Sequence, residues 1–247
     1  MKNSKIQWTD HTVNFWWGCA KVSPACANCY ALSIARVYGQ NRTSWGVGAK
    51  RWFRVEKASE ELRRLDRSAQ RRGVRERVFV NSMSDTFEDH TSLPQIRQRL
   101  FGELETLSNL DALLLTKRPE NILRMVPTSW PKQWPSHVWA GTTVENQTCA
   151  AERIPILATV PAAVRFLSCE PLLELLDLKP YLGSLQWIIA GGESGPSPRP
   201  ADTDWIRRIR DDCVRAGVAF HFKQWGGRKP HETGRVLDGR TWDQFPA

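Results

Sequence analysis

"RVFVNSMSDTFED", residues 77–89, joins a run rich in β-branched and aromatic residues (77–80) to an abrupt polar stop at Asn81. The same break recurs along the chain. "ALLL" (112–115), "HVWA" (137–140), "VRFL" (164–167), "WIIA" (187–190) and "AFHF" (219–222) each end in polar residues or glycine, and "TVNFWW" (12–17) precedes them all. Short, nearly continuous apolar runs fit strands buried on both faces. Helical stretches lie between them. Residues 56–72 place Ala58, Leu62, Leu65 and Ala69 on one face, residues 92–108 behave likewise, and 203–216 align Ile206, Ile209 and Cys213. Residues 171–186 carry no pattern that assigns a helix. Strands alternating with helices predict an α/β chain with a parallel sheet. Seven runs favour a full or partial (β/α) barrel of six to seven parallel strands; an open doubly wound sheet is the alternative. A single domain is expected over 1–247. Its polar, turn-rich C-terminal extension, 226–247, would wrap the surface or cover the barrel mouth.

The charge balance adds a partner class. The 35 Lys and Arg exceed the 26 Asp and Glu, giving a net charge of +9, and there are 12 tryptophans. Basic residues interleaved with Trp, as in "SWGVGAKRWFR" (44–54), suit phosphates and stacked bases. Trp45, Arg51, Trp52, Arg54, Arg63 and Arg64 are the candidate nucleic-acid contacts, with Arg118 beside them. The competing view makes the tryptophans core and the arginines solvated helix faces. No apolar stretch is long enough to span a membrane, and the N-terminus lacks the apolar region of a signal peptide. A cytoplasmic protein without membrane contact is expected, so the six cysteines read as thiols or metal ligands.

In parallel (β/α) folds the site lies at the carboxyl ends of the strands. Those ends read "NSMSD" (81–85), "TKRPEN" (116–121), "GTTVEN" (141–146), "SCEP" (168–171), "GGESG" (191–195) and "KQWGG" (223–227). They would gather the cations Lys117, Arg118 and Lys223 and the carboxylates Asp85, Glu145, Glu170 and Glu193 around one pocket. Gly191 and Gly192 would permit close approach of backbone to a ligand. Walker, G-x-G-x-x-G, H-E-x-x-H and G-x-S-x-G patterns do not occur.

The loop after the first strand, "GCAKVSPACANCYA" (18–31), spaces Cys19, Cys26 and Cys29 as C-x6-C-x2-C. A structural zinc takes four ligands, and His11, Cys149 or Cys169 could complete one. Three thiolates on a [4Fe–4S] cluster would instead leave one iron open.

The blocks "TDHTVNFWWGCAKVSPACANCYA", "NSMSDTFED", "LLTKRPEN", "FLSCEPLL", "IIAGGESG" and "FHFKQWGG" resemble, in order, the phage Gp37/Gp68 family, also called DUF5131. That family is similar to a divergent branch of the radical S-adenosylmethionine (SAM) enzymes, distantly related to spore photoproduct lyase. The resemblance implies a [4Fe–4S] cluster on Cys19, Cys26 and Cys29. SAM would bind the fourth iron, and an external electron donor would drive reductive cleavage of SAM to the radical that takes hydrogen from substrate. By strand order, Ser82, Ser84 and Asp85 would face the SAM amino group. Thr142, Thr143, Glu145 and Asn146 would lie near the ribose, and Gly191, Gly192 and Glu193 near the adenine or methionine. Lys117 or Arg118 would pair with a carboxylate or phosphate. Lys117, Glu170 and Cys169 are the catalytic candidates. Cys169 would return a hydrogen atom to the substrate, unless it is a core residue. The chain departs from the usual C-x3-C-x2-C spacing and lacks a Gly-Gly-Glu after the second strand.

The expected function is therefore a radical SAM enzyme of lyase or modification type acting on nucleic acid, DNA before RNA, with a partner protein a further expectation. A radical SAM enzyme for a small molecule or peptide is one alternative. A non-enzymatic zinc or iron–sulfur module that binds nucleic acid is the other.

Overall fold

Each apolar run hydrogen-bonds to its neighbours as a strand, and the helical stretches cover one face of the resulting sheet. The computed structural model describes residues 4–37 and 44–246. The strands are β1 (His11–Val13), β4 (Glu76–Val80), β5 (Leu110–Thr116), β6 (Val138–Thr143), β7 (Arg165–Cys169), β8 (Trp187–Gly191) and β9 (Ala219–Gln224). They form one seven-stranded sheet in the order β1-β4-β5-β6-β7-β8-β9, every neighbouring pair parallel. The sheet curls into a half-barrel. Of the two forms expected, the partial barrel is the one observed.

The run 12–17 does not form one strand. Asn14 and Phe15 interrupt it, because their hydrogen bonds go to the loop after β4. Asn14 Oδ1 accepts from the Met83 N–H at 2.8 Å, and Phe15 N–H donates to Asn81 Oδ1 at 2.9 Å. The chain then leaves the sheet. β2 (Trp16–Trp17) pairs antiparallel with β3 (Trp52–Phe53) as a separate ribbon.

The long helices fall close to the expected ranges. α2 (Val55–Arg72) buries Ala58, Leu62, Leu65 and Ala69 and stops at Gly73, which takes a left-handed φ of 64°. α3 (Pro94–Glu105) starts on a proline, and α6 (Thr203–Ala216) is capped by Asp202, whose side chain accepts from Asp204 N–H. α5 (Gln147–Ala158) begins at the Asn146 cap, and α1 (Tyr30–Val37) directly follows Cys29. Residues 171–186 hold a 3₁₀ turn over Lys179–Ser184.

Strand residues alternate between two cores. Val78, Val80, Leu114, Ala140, Leu167, Ile188 and Phe220 pack with the helices. Phe79, Leu113, Trp139, Phe166 and Trp187 face the other way and form an aromatic core with Trp8. The ring of Phe166 fills the space above Gly141, where a Cβ would come within 2.4 Å of it. Residues of the C-terminal extension run beside β9. Phe222 N–H donates to Trp242 O, Trp187 Nε1 to Gln244 O, and Phe245 packs on Trp187. Phe245 joins the aromatic core, Trp242 packs on Phe220 in the helix-side core, and Trp225 N–H just past β9 donates to Gly234 O.

Candidate functional site

Gly18 fixes where the three-cysteine loop leaves the ribbon. Its φ is 109°, and a Cβ there would lie 2.1 Å from Ser44 O, so only glycine allows the approach of residue 44. Gly18 N–H donates to Met83 O, and Gly46 N–H to Cys19 O. Proline at 24 starts a 3₁₀ turn over Pro24–Cys26, and Cys29 O accepts the first helical bond of α1. All three cysteines are free and half-buried.

Carboxylates from three different strand ends hold this loop. After β4, Glu88 accepts from Ala20 N–H at 2.7 Å. After β6, Glu145 accepts from Ala25 N–H at 3.2 Å. After β8, Glu193 accepts from Asn28 Nδ2 at 2.9 Å. Each contact is made by a residue adjacent to a cysteine in sequence. Each carboxylate is buried and carries an arginine on its other oxygens or beside it. Arg51 pairs with Glu88, Arg153 with Glu145 and Arg199 with Glu193. Burial pushes the Glu145 carboxyl up, but the Ser23 hydroxyl, Arg153 and the Ala25 N–H outweigh it and hold it below the ordinary range. For Glu193, burial is likewise outweighed by Arg199 and Asn28. A fourth tie comes from Tyr30, whose hydroxyl donates to Ser82 O at 2.5 Å. The Tyr30 ring edge is exposed, but its hydroxyl end is enclosed. That burial, with Cys29 and Glu170 nearby, raises the phenol above its ordinary value.

The sulfurs lie in unlike surroundings. Burial, with Asp85 and Glu88 close by, pushes the Cys19 thiol up to about 12 against the pull of Arg118. Arg118 Nη1 lies 3.7 Å from Cys19 Sγ, and Nη2 donates to Ala20 O at 2.9 Å. For Cys26, burial is outweighed by Lys117 and by hydrogen bonds at Val22 and Ser23, and its thiol is lowered. Lys117 Nζ lies 3.4 Å from Thr143 Oγ1. Lys223 on β9 and Glu170 after β7 form an ion pair across the end of β8.

Several expected ligand contacts are committed within the protein. Asp85 accepts from Thr116 Oγ1 at 2.7 Å, from Lys117 N–H and from Arg118 at 2.8 Å, so both its oxygens are engaged. Thr142 is fully buried and donates to Thr116 O inside the sheet. Asn146 caps α5 by accepting from Cys149 N–H. The Ser82 hydroxyl meets Asn14, and Ser84 donates to Trp16 O. Gly192 has a reason of its own, since a Cβ there would lie 2.0 Å from Trp225 O. Gly191 lies 3.3 Å from Gln224 O on the same measure. Thr143, Lys117 and Glu170 remain as polar groups at the mouth on the face without helices.

Cys169 is corrected most sharply. It is 0% exposed and packs in the helix-side core with Cys213, so it points away from the mouth. Burial raises its thiol well above the ordinary value. The nucleic-acid candidates divide as well. Arg51 is buried, with its guanidinium spent on Glu88 and on Ser44 O and Gly46 O, so it braces the cysteine loop. Trp45 lies in the same bracing segment, and Arg118 is enclosed. Arg63 is held by Glu103 and Arg64 by Glu61, both on the exposed side of α2. Arg54 and Trp52 do form a surface feature. The guanidinium lies over Trp52 at 5.4 Å and over Trp17 at 5.9 Å, next to Phe53, which is 41% exposed. A cleft of about 590 Å³ opens beside them, lined by Lys50, Phe53, His90 and Ser92 among others. No helix among the described residues is long and apolar enough to cross a membrane.

Sequence reasoning missed Glu88, Arg153 and Arg199 as parts of the site. Glu88 lay inside a quoted block, but a carboxylate eight residues past a strand carries no signal that it turns back. The two arginines sit in helix- and loop-forming stretches where Arg is ordinary.

The family profile described as "Protein of unknown function (DUF5131)" matches residues 3–246. The chain belongs to the DUF5131 family. A search of the curated proteins finds no match. Among solved structures, the fold of this DUF5131 protein is similar to that of a cysteine-to-alanine mutant of spore photoproduct lyase. The TM-score is 0.52 at 9% identity, covering 89% of this chain and 78% of that one. At that identity the likeness is one of fold.

No group of three or more His, Cys, Asp or Glu among the described residues converges on a point suited to a single metal ion. A [4Fe–4S] cluster makes a different demand, because its thiolates bind separate irons. Three free thiols on one loop, a guanidinium N–H aimed at one sulfur and a lysine beside another fit a sulfur-ligated, negatively charged cluster.

Proposed function

We propose that this DUF5131 protein is a radical SAM enzyme that acts on nucleic acid. One observation carries the reading. Cys19, Cys26 and Cys29 are the chain's half-buried free thiols, and their loop is tied across the carboxyl end of a parallel half-barrel. Those three cysteines would hold three irons and leave the fourth for SAM. When bound, the cluster and SAM together supply a radical able to take a hydrogen atom from an unactivated carbon.

The chain's own groups prepare the site. Glu88 and Glu145 fix the loop backbone at Ala20 and Ala25, and Glu193 holds the Asn28 side chain, which limits the freedom of each neighbouring cysteine. Lys117 supplies a cation under Cys26 for a carboxylate or phosphate, with the Thr143 hydroxyl beside it. The Lys223–Glu170 pair offers both charges at the mouth, as a zwitterionic ligand needs. The cysteine loop covers that end of the half-barrel and limits the access of water.

Nucleic acid is favoured as substrate by the net charge of +9 and by the Arg54–Trp52–Trp17 stack with exposed Phe53. Bases stack on such rings, each worth about 1–3 kcal/mol. Anaerobically purified protein is expected to contain iron and sulfide. With a strong reductant it should convert SAM to 5′-deoxyadenosine, and damaged oligonucleotides should alter the product. Iron-bound protein that leaves SAM intact would reduce the reading to a binding module. SAM cleavage with salt-independent or absent binding of DNA and RNA would move the substrate to a small molecule or peptide.

A further inference from the structure

Arg118 occupies an unusual place for a buried arginine. It is 8% exposed, and its guanidinium is fixed from several sides. Nη1 donates to Asp85 Oδ2 at 2.8 Å, Nη2 donates to Ala20 O at 2.9 Å, and Glu88 Oε1 lies 3.7 Å from Nη2. Its backbone N–H is held by Thr116 Oγ1 at 2.9 Å. In that fixed pose Nη1 also lies 3.7 Å from Cys19 Sγ, within reach for N–H donation to sulfur. Asp85 is immobilised in turn by Thr116 and the Lys117 N–H, and Glu88 by Arg51. Two arginines and two carboxylates, with Arg97 on the Thr86 and Glu88 carbonyls behind them, thus lie against one cysteine sulfur.

Such a group is more than a structural ion pair. A guanidinium keeps its charge at any accessible pH and presents its N–H groups in a fixed plane. Donation to a ligand sulfur, and the net charge beside it, are two of the factors that set the potential of an iron–sulfur cluster. With both carboxylates neutralised, the directional N–H···S contact is the unbalanced element. It draws charge from the sulfur and favours the reduced cluster.

We propose that Arg118 is a positioning residue that raises the reduction potential of a cluster ligated by Cys19, with Asp85 as its opposing charge. The inference rests on the radical SAM reading. The couple is the one-electron reduction of the cluster by an external low-potential donor, with every cluster–thiolate bond kept.

The test is a dye-mediated redox titration, followed by EPR, of reconstituted wild-type protein and of Arg118→Met, Arg118→Lys and Asp85→Asn. Arg118→Met leaves Asp85 unpaired near the sulfur. The ratio of reduced to oxidised cluster at a fixed applied potential should fall about tenfold, a shift of about 59 mV for one electron. Asp85→Asn leaves Arg118 uncompensated and should shift the ratio the other way. Arg118→Lys keeps the charge but not the fork and should fall between wild type and Arg118→Met. Iron content per chain reports loading separately. If Arg118→Met does not hold iron, the opposite-signed Asp85→Asn shift and the Arg118→Lys value decide. Loaded variants whose potentials equal the wild type, or shift in one common direction, overturn the inference and leave the functional reading standing. Wild-type protein that binds no iron overturns the functional reading itself.

Discussion

The six cysteines divide into two sets of three that differ in exposure and in charged neighbours, although burial raises the Cys19 thiol as it does those of the second set. Cys19, Cys26 and Cys29 lie half-buried on one loop among arginine, lysine and carboxylates at the carboxyl ends of the strands. Cys149, Cys169 and Cys213 are buried. Burial raises their thiols, to about 11 for Cys149, well above the ordinary value for Cys169 and to about 12 for Cys213. The second set behaves as small apolar residues, and the first has the access and the neighbours that ligation needs. Sequence spacing separates the two sets only in part. The burial of Cys169 in the helix-side core, near Cys213 of α6, is what removes it from the site.

The largest expected effect follows directly. Single Cys19→Ala, Cys26→Ala and Cys29→Ala variants should lose nearly all bound iron while keeping the wild-type circular dichroism spectrum. Cys149→Ala, Cys169→Ala and Cys213→Ala should keep their iron. Iron analysis of the six proteins, purified in parallel, would break the division if a member of the buried set behaved like the loop set.

The carboxylate ties give the next effect. Glu145 is fully buried and paired with Arg153 at 3.0 Å, so Glu145→Leu strands a buried guanidinium and should cost about 3 kcal/mol in urea denaturation. The same variant frees Ala25 and should lower iron occupancy. Unchanged occupancy would show that the loop holds its shape without this tie.

Cys169→Ala removes one buried heavy atom and should cost about 1 kcal/mol, a fall in Tm of about 2–4 °C for a chain of this size. Its product distribution should match wild type, because its sulfur faces the helices. An altered distribution would return the hydrogen-donor role to this residue.

The smallest effect is in acid. The folded-state carboxyls of Glu145 and Glu193 lie below their ordinary value of 4.5. Their contribution to stability is complete above that value and is lost as pH falls below it, toward the folded-state values. The stability difference between wild type and Glu193→Gln should therefore shrink below pH 4.5. A difference that persists there would mean that Glu193 acts by packing and not by charge.

Much of the frame was legible. The apolar runs marked the six strands from β4 on, each strand extending one to three residues past its run at one end or both, because strands buried on both faces leave a dense local signal. Leu62 and Leu65 fixed the buried face of α2 in the same way. The three-cysteine loop was legible because its residue type is rare and its spacing tight. The roles of Asp85, Glu145 and Glu193 were not. A carboxylate after a strand looks the same in sequence whether it meets a ligand or turns to a distant part of the chain. Only the packing shows that Asp85 is engaged by the end of β5, and that Glu88, Glu145 and Glu193 are engaged by the cysteine loop. Arg51 failed for a related reason. Its basic, Trp-rich neighbourhood suggested a surface, while its guanidinium lies inside against Glu88.

The most direct test is Mössbauer spectroscopy of ⁵⁷Fe-labelled protein, purified anaerobically, with and without SAM. The account predicts four irons per chain in one cluster, with a single iron site whose spectrum changes when SAM is added. Zinc in place of iron, or a cluster whose four sites ignore SAM, would contradict it.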